Sequence, residues 1–232
     1  AGRGFDVRFR DELETSRAVV DCVLAEPIRY AAADPIEVWV FHALLLDSTP
    51  PANQLVEGSI PEDASYERLA QDSLAADENL LREAFGLLVN AHYRTQPDDL
   101  ARLLDAPDVA IRALLVDGHP VSVALLAREG GLDDHTRRRA YEGGRIRGNL
   151  IPDLLTSQLR DPEACIPIVF RVVLISTHHS FRAAVFGSLF LYDIEAYVSE
   201  IVATYSDPYY SRCRFGPSHS LVFSSGAAPK LF

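Results

Sequence analysis

The chain has 232 residues, 48% hydrophobic and 24% charged, with a formal net charge of -11 at pH 7. That suits one globular domain with a sizeable core and an appendage, and it excludes broad electrostatic attraction to nucleic acid except where basic side chains cluster. Lys230 is the one lysine; such acidic, lysine-poor composition resembles proteins of salt-loving organisms, in whose strong salt net charge is screened.

Cys22, Cys165 and Cys213 are odd in number and widely spaced, so three reduced thiols in a cytoplasmic protein are expected. No apolar run reaches the roughly 18 residues of a membrane span, and no signal peptide is legible. The chain contains no methionine, which reads as a piece of a longer protein.

In chain order, "FDVRF" predicts a short strand. Ile36, Val40, Ala43 and Leu44 follow Pro35 at helical spacing and predict a helix over 35–47. "STPPANQLVEGSIPEDAS" has linker composition. The expected division is therefore an appended segment 1–50, a linker 51–65 and a main domain 66–232. Leu69, Leu74, Leu80, Leu81, Phe85, Leu88 and Val89 predict one long helix or two in series. Thr95 reads as a helix cap, with Pro97, Asp98 and Asp99 in the first turn.

Two apolar runs around Asp117-Gly118 predict a hairpin. "DDHTRRRAYEGG" predicts a short polar helix and "NLIPDLLTSQLRD" another. "IPIVFRVVLIST" is too apolar for a sheet edge and predicts a central strand. A last helix is expected over 187–203, and "RFGPSHSLVFSSG" reads as a turn and a final strand. Helices and strands alternate around a mainly antiparallel sheet, so the class is α+β or α/β.

The stretch "RVVLISTHHSFRAAVFGS" runs from the central strand through a polar turn into a helix start. Free N–H groups and the helix dipole make such a junction an anion site. Arg182 offers a charged fork, and Ala183, Ala184 and Gly187 allow close backbone approach. His178 and His179 read as a solvent-facing pair, and no cluster at metal-ligand spacing is present, so no metal is expected. Arg137, Arg138 and Arg139, with Arg145 and Arg147, form a basic run.

Long words of the sequence carry a resemblance. "NAHYRTQPDDLARLLDAPD", "VALLAREGGLDD" and "YEGGRIRGNLIPDLLTSQLRDPEA" resemble the acetyltransferase module of tRNA(Met) cytidine acetyltransferases, particularly archaeal members. "PIRYAAADPIEVWVFHALLLD" resembles the connector that joins this family's helicase-like ATPase module to the acetyltransferase, and "RCRFGPSH" resembles a stretch near the family's end. The resemblance runs over about residues 27–188.

It implies a GNAT-like fold, a mixed, mostly antiparallel sheet flanked by helices, in which a central strand splays from its neighbour. It implies acetyl-CoA as cofactor and N4-acetylation of a cytidine in RNA, the wobble cytidine of elongator tRNA-Met. By the same resemblance Ile175, Ser176 and Thr177 face the acetyl and pantetheine arm, and Arg182, Ala183, Ala184, Val185, Phe186, Gly187 and Ser188 form the pyrophosphate loop. Arg212 matches a residue that contacts CoA. His92 matches a histidine held important for acetyl transfer, Arg138, Arg145 and Arg147 are RNA contacts, and Tyr209 or Tyr210 stands near a thiolate acid.

Val185 replaces the middle glycine of the loop pattern Gln/Arg-x-x-Gly-x-Gly/Ala. A β-branched residue at a position needing positive φ costs on the order of 1 kcal/mol or more, so an impaired loop is expected. No phosphate-loop word for ATP occurs, so ATP is expected only on an upstream module. Two other readings stay open: a non-catalytic relic, and a GNAT enzyme acting on another amine.

Overall fold

Asp117 and Gly118 both take positive φ, 49° and 82°, the backbone of a two-residue hairpin turn whose twist matches its strands. They join β2 (Val109–Val116) to β3 (His119–Gly130) in an antiparallel pair. The computed structural model describes residues 29–91, 97–161, 163–181, 186–204, 210–215 and 221–225. Around the hairpin, β1 (Ser65–Leu69) pairs with β2, and β4 (Ile168–Thr177) pairs with β3. The last strands are β5 (Tyr210–Phe215) and β6 (Leu221–Ser225). The sheet order is β1-β2-β3-β4-β6-β5, and every described pair is antiparallel. The expected α+β class and interior β4 are therefore observed.

Helices cover both faces. In chain order they are α1 (Pro35–Ala43), α2 (Asn53–Val56), α3 (Gln71–Ala76), α4 (Glu78–Ala91), α5 (Pro97–Asp105), α6 (Asp134–Tyr141), α7 (Leu150–Leu159) and α8 (Phe186–Thr204). Alternation along β2 sends Ile111, Ala113 and Leu115 to one face, where Leu74, Phe85, Leu88 and Leu103 of α3, α4 and α5 meet them. Leu114 and Val116 go to the other face. There Phe186, Phe190, Ile194 and Val198 of α8, spaced by four, are all buried. Arg112 also lies on the α8 face, 6% exposed, its guanidinium 3.3 Å from the Tyr197 ring centroid and 5.6 Å from that of Tyr66. Ring quadrupoles thus take the place of water around a buried cation. Burial pushes the Tyr66 phenol well above its usual range.

Three sequence expectations change. The long helix expected from residue 66 begins instead as a strand, because β2 offers an unpaired edge that Ser65–Leu69 fills. Local sequence does not show that edge. Helix α1 forms as expected, with Asp34 as its cap, accepting from the N–H groups of Ile36 and Glu37, but it ends at Ala43 and buries none of its residues. His178 is not solvent-facing: it is 1% exposed. The strand expected at "FDVRF" lies outside the described residues.

The segment of linker composition is pinned to the core. Val56 is fully buried and Leu45 nearly so. Gly86 has no room for a Cβ, which would run into the backbone of Thr49 and Pro50. Arg82 donates to Asp47 at 2.8 Å and to Glu78 at 2.9 Å.

Candidate functional site

The site begins with a gap in the sheet. Among the described residues β4 meets β6 at one register position, Phe170 with Leu221. From Arg171 to Thr177 its other edge pairs with β3, and this edge has no described partner. Residues Arg171 to Ile175 are accordingly half-buried although the strand is interior. Unpaired N–H and C=O groups on such an edge accept an extended ligand. The β3–β4 register slips between Leu125 and Leu126, which face Leu174 and Val172. Val173 is the extra residue of a β-bulge, a feature that re-aims a strand beside a site.

Thr177 ends β4, its Oγ1 accepting from Ser122 Oγ at 3.0 Å. His178 follows, with Nε2 3.0 Å from the Pro51 carbonyl oxygen and Nδ1 accepting from the Ser180 N–H at 3.3 Å. The carbonyl can only accept and the amide can only donate, so the ring is the neutral Nε2–H tautomer. Its ring lies 4.4 Å from that of His179. A short turn, His179–Phe181, leads toward α8. Helix α8 starts at Phe186, which is buried, while Gly187 is half-buried and Ser188 exposed. A Cβ on Gly187 would meet nothing nearer than Thr177 Oγ1 at 3.9 Å, so the helix start is open where β4 ends. The first-turn N–H groups of a 19-residue helix carry the partial positive charge that favours an anion.

The structure thus brings Ile175, Ser176, Thr177, Phe186, Gly187 and Ser188 together at one end of β4. His92, Arg182, Ala183, Ala184, Val185 and Tyr209 lie outside the described residues. Arg212 falls on β5, beyond β6 from β4, and Tyr210 opens that strand.

A second feature lies on the sheet face opposite α8. A cleft of about 1050 Å³ opens there, with Val109, Ala127 and Val173 among its apolar lining. Arg102, Arg128, Arg139, Arg145, Arg147 and Arg171 also line it, against Asp108 and Asp153. Arg138 is exposed on α6 and is not part of the wall. Arg171 donates from Nε to Glu129 Oε1 at 2.7 Å. The Glu129 side chain is fully buried, and its other oxygen accepts from the Ile151 N–H at 2.8 Å. Asn149 Oδ1 accepts from the Gly130 N–H, so the end of β3 is tied twice to the start of α7. Sequence reasoning missed Arg128, Glu129 and Arg171. The signal was charge inside apolar strands, an adjacent Arg-Glu pair in "ALLARE" and a lone arginine in "VFRVV".

Among the described residues no group of three or more His, Cys, Asp or Glu is placed to hold a metal ion, and no helix is long and apolar enough to cross a membrane.

Residues 83–212 match the family profile GNAT acetyltransferase 2. The chain belongs to this acetyltransferase family. Residues 1–47 match the profile "RNA cytidine acetyltransferase NAT10/TcmA, helicase domain". Similar curated proteins include "tRNA(Met) cytidine acetyltransferase TmcA" of Haloferax volcanii, 62% identical over 195 residues, covering 84% of this chain and 26% of that protein. The protein of the same name from Haloarcula marismortui is 57% identical over 197 residues, covering 84% of this chain and 25% of its own. That of Thermococcus kodakarensis is 37% identical over 184 residues, covering 77% and 22%. The chain thus spans about a quarter of the length of these relatives. The resemblance read from the sequence stands, and two of these relatives come from halophilic genera, as the acidic composition suggests.

Proposed function

We propose that the chain is the acyl-transfer part of an enzyme that uses acetyl-CoA to acetylate the N4 amine of a cytidine in RNA, the wobble cytidine of elongator tRNA-Met. One observation carries this reading: the end of β4, with its open edge, lies beside the open N-terminus of α8, Gly187 against Thr177, in a chain of the GNAT acetyltransferase 2 family. The residues present fit the cofactor. An unpaired strand edge suits the amide-bearing pantetheine arm, and a helix start with no side chain at Gly187 suits a pyrophosphate. When bound, acetyl-CoA supplies an activated acyl thioester.

The chain's own work is to bind, orient and move a proton. Ile175, Ser176 and Thr177 offer backbone groups along β4. Phe186, Gly187 and Ser188 offer first-turn N–H groups, and Arg182, Ala183, Ala184 and Val185 complete the loop, with Arg182 as a charged fork. Arg212 is a further CoA contact. The cytidine amine is a poor nucleophile because its lone pair is delocalised into the ring, so positioning and proton removal carry the rate. His92 is assigned the proton. Arg138, Arg145 and Arg147 are assigned to RNA.

Residues 1–50 are proposed as the connector from an upstream helicase-like ATPase module, where ATP would bind. The match of residues 1–47 to a helicase domain supports this. So does α1, where Ile36, Val38 and Trp39 are 62%, 58% and 67% exposed; such an apolar helix face is the kind of surface another module covers. A second reading, a relic that keeps the fold without catalysis, is favoured by Val185 in place of the loop glycine.

Calorimetry with acetyl-CoA, followed by an assay for acetyl transfer to tRNA-Met, tests the proposal. Micromolar binding and transfer to RNA are expected. Binding with transfer only to other amines would replace the substrate, and no binding would leave the relic.

A further inference from the structure

The arginine-lined cleft is not accounted for by the cofactor site. The chain carries a net charge of -11, yet six arginines and two aspartates line this one space. Two of the arginines are engaged: Arg102 with Asp99 at 3.3 Å, and Arg139 with the Arg145 carbonyl oxygen at 3.4 Å. Arg145 and Arg147 are exposed and have no side-chain partner among the described residues, while Arg128, opposite Phe170 in register, sends its side chain to the α8 face. Arg171 is different. Its Nε is held by buried Glu129, which fixes the guanidinium while its two terminal amino groups stay available to the cleft. At about 1050 Å³ the space is at the upper end of the roughly 300–1,000 Å³ of ordinary small-molecule pockets, room enough for a nucleotide of a strand.

Two kinds of lining meet here. Val109, Ala127 and Val173 supply an apolar part and the arginines a cationic one. A planar base fits the first and its flanking phosphates the second. Val173 is also the bulge residue of β4. Four residues on, about 13 Å along the strand, Thr177 stands at the start of α8. The cleft therefore reaches the middle of the same strand whose end meets the proposed anion site, from the opposite face of the sheet.

We infer that this cleft is the entry for the acceptor RNA as a single-stranded segment: the target base lies toward Val173, and the flanking phosphodiesters lie on Arg145, Arg147 and Arg171. Glu129 is a positioning residue that aims Arg171. The inference rests on the proposed function for its choice of RNA. The phosphates of the nucleotide cofactor share the same chemistry, and the test separates the two.

The test uses the whole chain, a fluorescent single-stranded RNA containing one cytidine, and acetyl-CoA. RNA affinity is measured by anisotropy over a salt series, and acetyl-CoA affinity by calorimetry. The double variant Arg145→Ala/Arg147→Ala changes only exposed side chains and keeps the fold. It should bind RNA at least ~10-fold more weakly, with the log–log salt slope reduced by roughly 1.4, about 0.7 per lost phosphate contact, and with acetyl-CoA affinity unchanged. Arg68→Ala, an exposed arginine on β1 outside the cleft, should change neither. Glu129→Gln should reduce RNA affinity with little change in salt slope, since it removes aim and not a cation.

A double variant with wild-type RNA affinity and slope overturns the inference, as does one that loses acetyl-CoA instead, or a wild-type chain that does not bind the RNA. Failure of the broader reading looks different. In that case RNA binding follows the cleft arginines, but acetyl-CoA neither binds nor reacts.

Discussion

Phe170 of β4 pairs with Leu221 of β6, and among the described residues it is the last position at which the two strands are bonded. The residues of β4 proposed to meet the cofactor all lie beyond it. Titrating acetyl-CoA should therefore slow amide hydrogen exchange in residues 172–177 and in the first turn of α8, and leave β2 unaffected. Protection confined to β5 and β6 would place the ligand elsewhere.

Gly187 separates folding from binding. A Cβ there touches only Thr177 Oγ1, at ordinary contact distance, so Gly187→Ala should leave the melting temperature unchanged. It should crowd a pyrophosphate approaching the helix start and weaken acetyl-CoA about 5-fold, a change of about 1 kcal/mol. Unaltered affinity measured by calorimetry would remove the anion from this position.

The family loop pattern has a glycine where Val185 stands, so Val185→Gly should tighten acetyl-CoA; a steric misfit of about 1–3 kcal/mol corresponds to roughly 5- to 150-fold. Arg182→Ala should loosen it through the lost charged fork. If both variants titrate like the parent, the junction is an ordinary turn and the relic reading follows.

Gly86→Ala should destabilise the chain by about 1–3 kcal/mol, since the backbone of Thr49 and Pro50 occupies the space a methyl group needs. Limited proteolysis should then cut first between residues 44 and 56. A variant as resistant as the parent would show that this segment can lift away freely.

Two pH effects of opposite sign are expected. The Arg82 hydrogen bond holds the Asp47 and Glu78 carboxyls below their usual range. Their contribution is present above the unfolded carboxylate range and is lost as pH falls through the folded values. Both carboxylates are exposed, so salt should diminish it. Burial instead raises Asp193, whose ionised form opposes folding at neutral pH. Asp193→Asn should raise the melting temperature near pH 7 and lose its advantage below the ordinary aspartate range. Equal gains at pH 3 and pH 7 would refute the assignment.

Much of this protein was legible locally. The Asp117-Gly118 turn, the unbroken apolar run of β4 and the four-residue spacing of Phe186, Phe190, Ile194 and Val198 each state an element through its own chemistry. The succession of β4 and α8 was legible too, and any helix start presents free first-turn N–H groups. Tertiary structure alone decided the rest. Ser65–Leu69 became a strand because β2 had an edge to fill. His178 was buried because Pro51, 127 positions away, offered it a carbonyl. The cleft exists because Arg145, Arg147 and Arg171, separated along the chain, converge where β3, β4 and the approach to α7 meet. Periodicity and spacing report what a residue's neighbours in sequence require. Pairing partners, and the desolvation that turns a charge into a site, are set by residues far away in the chain.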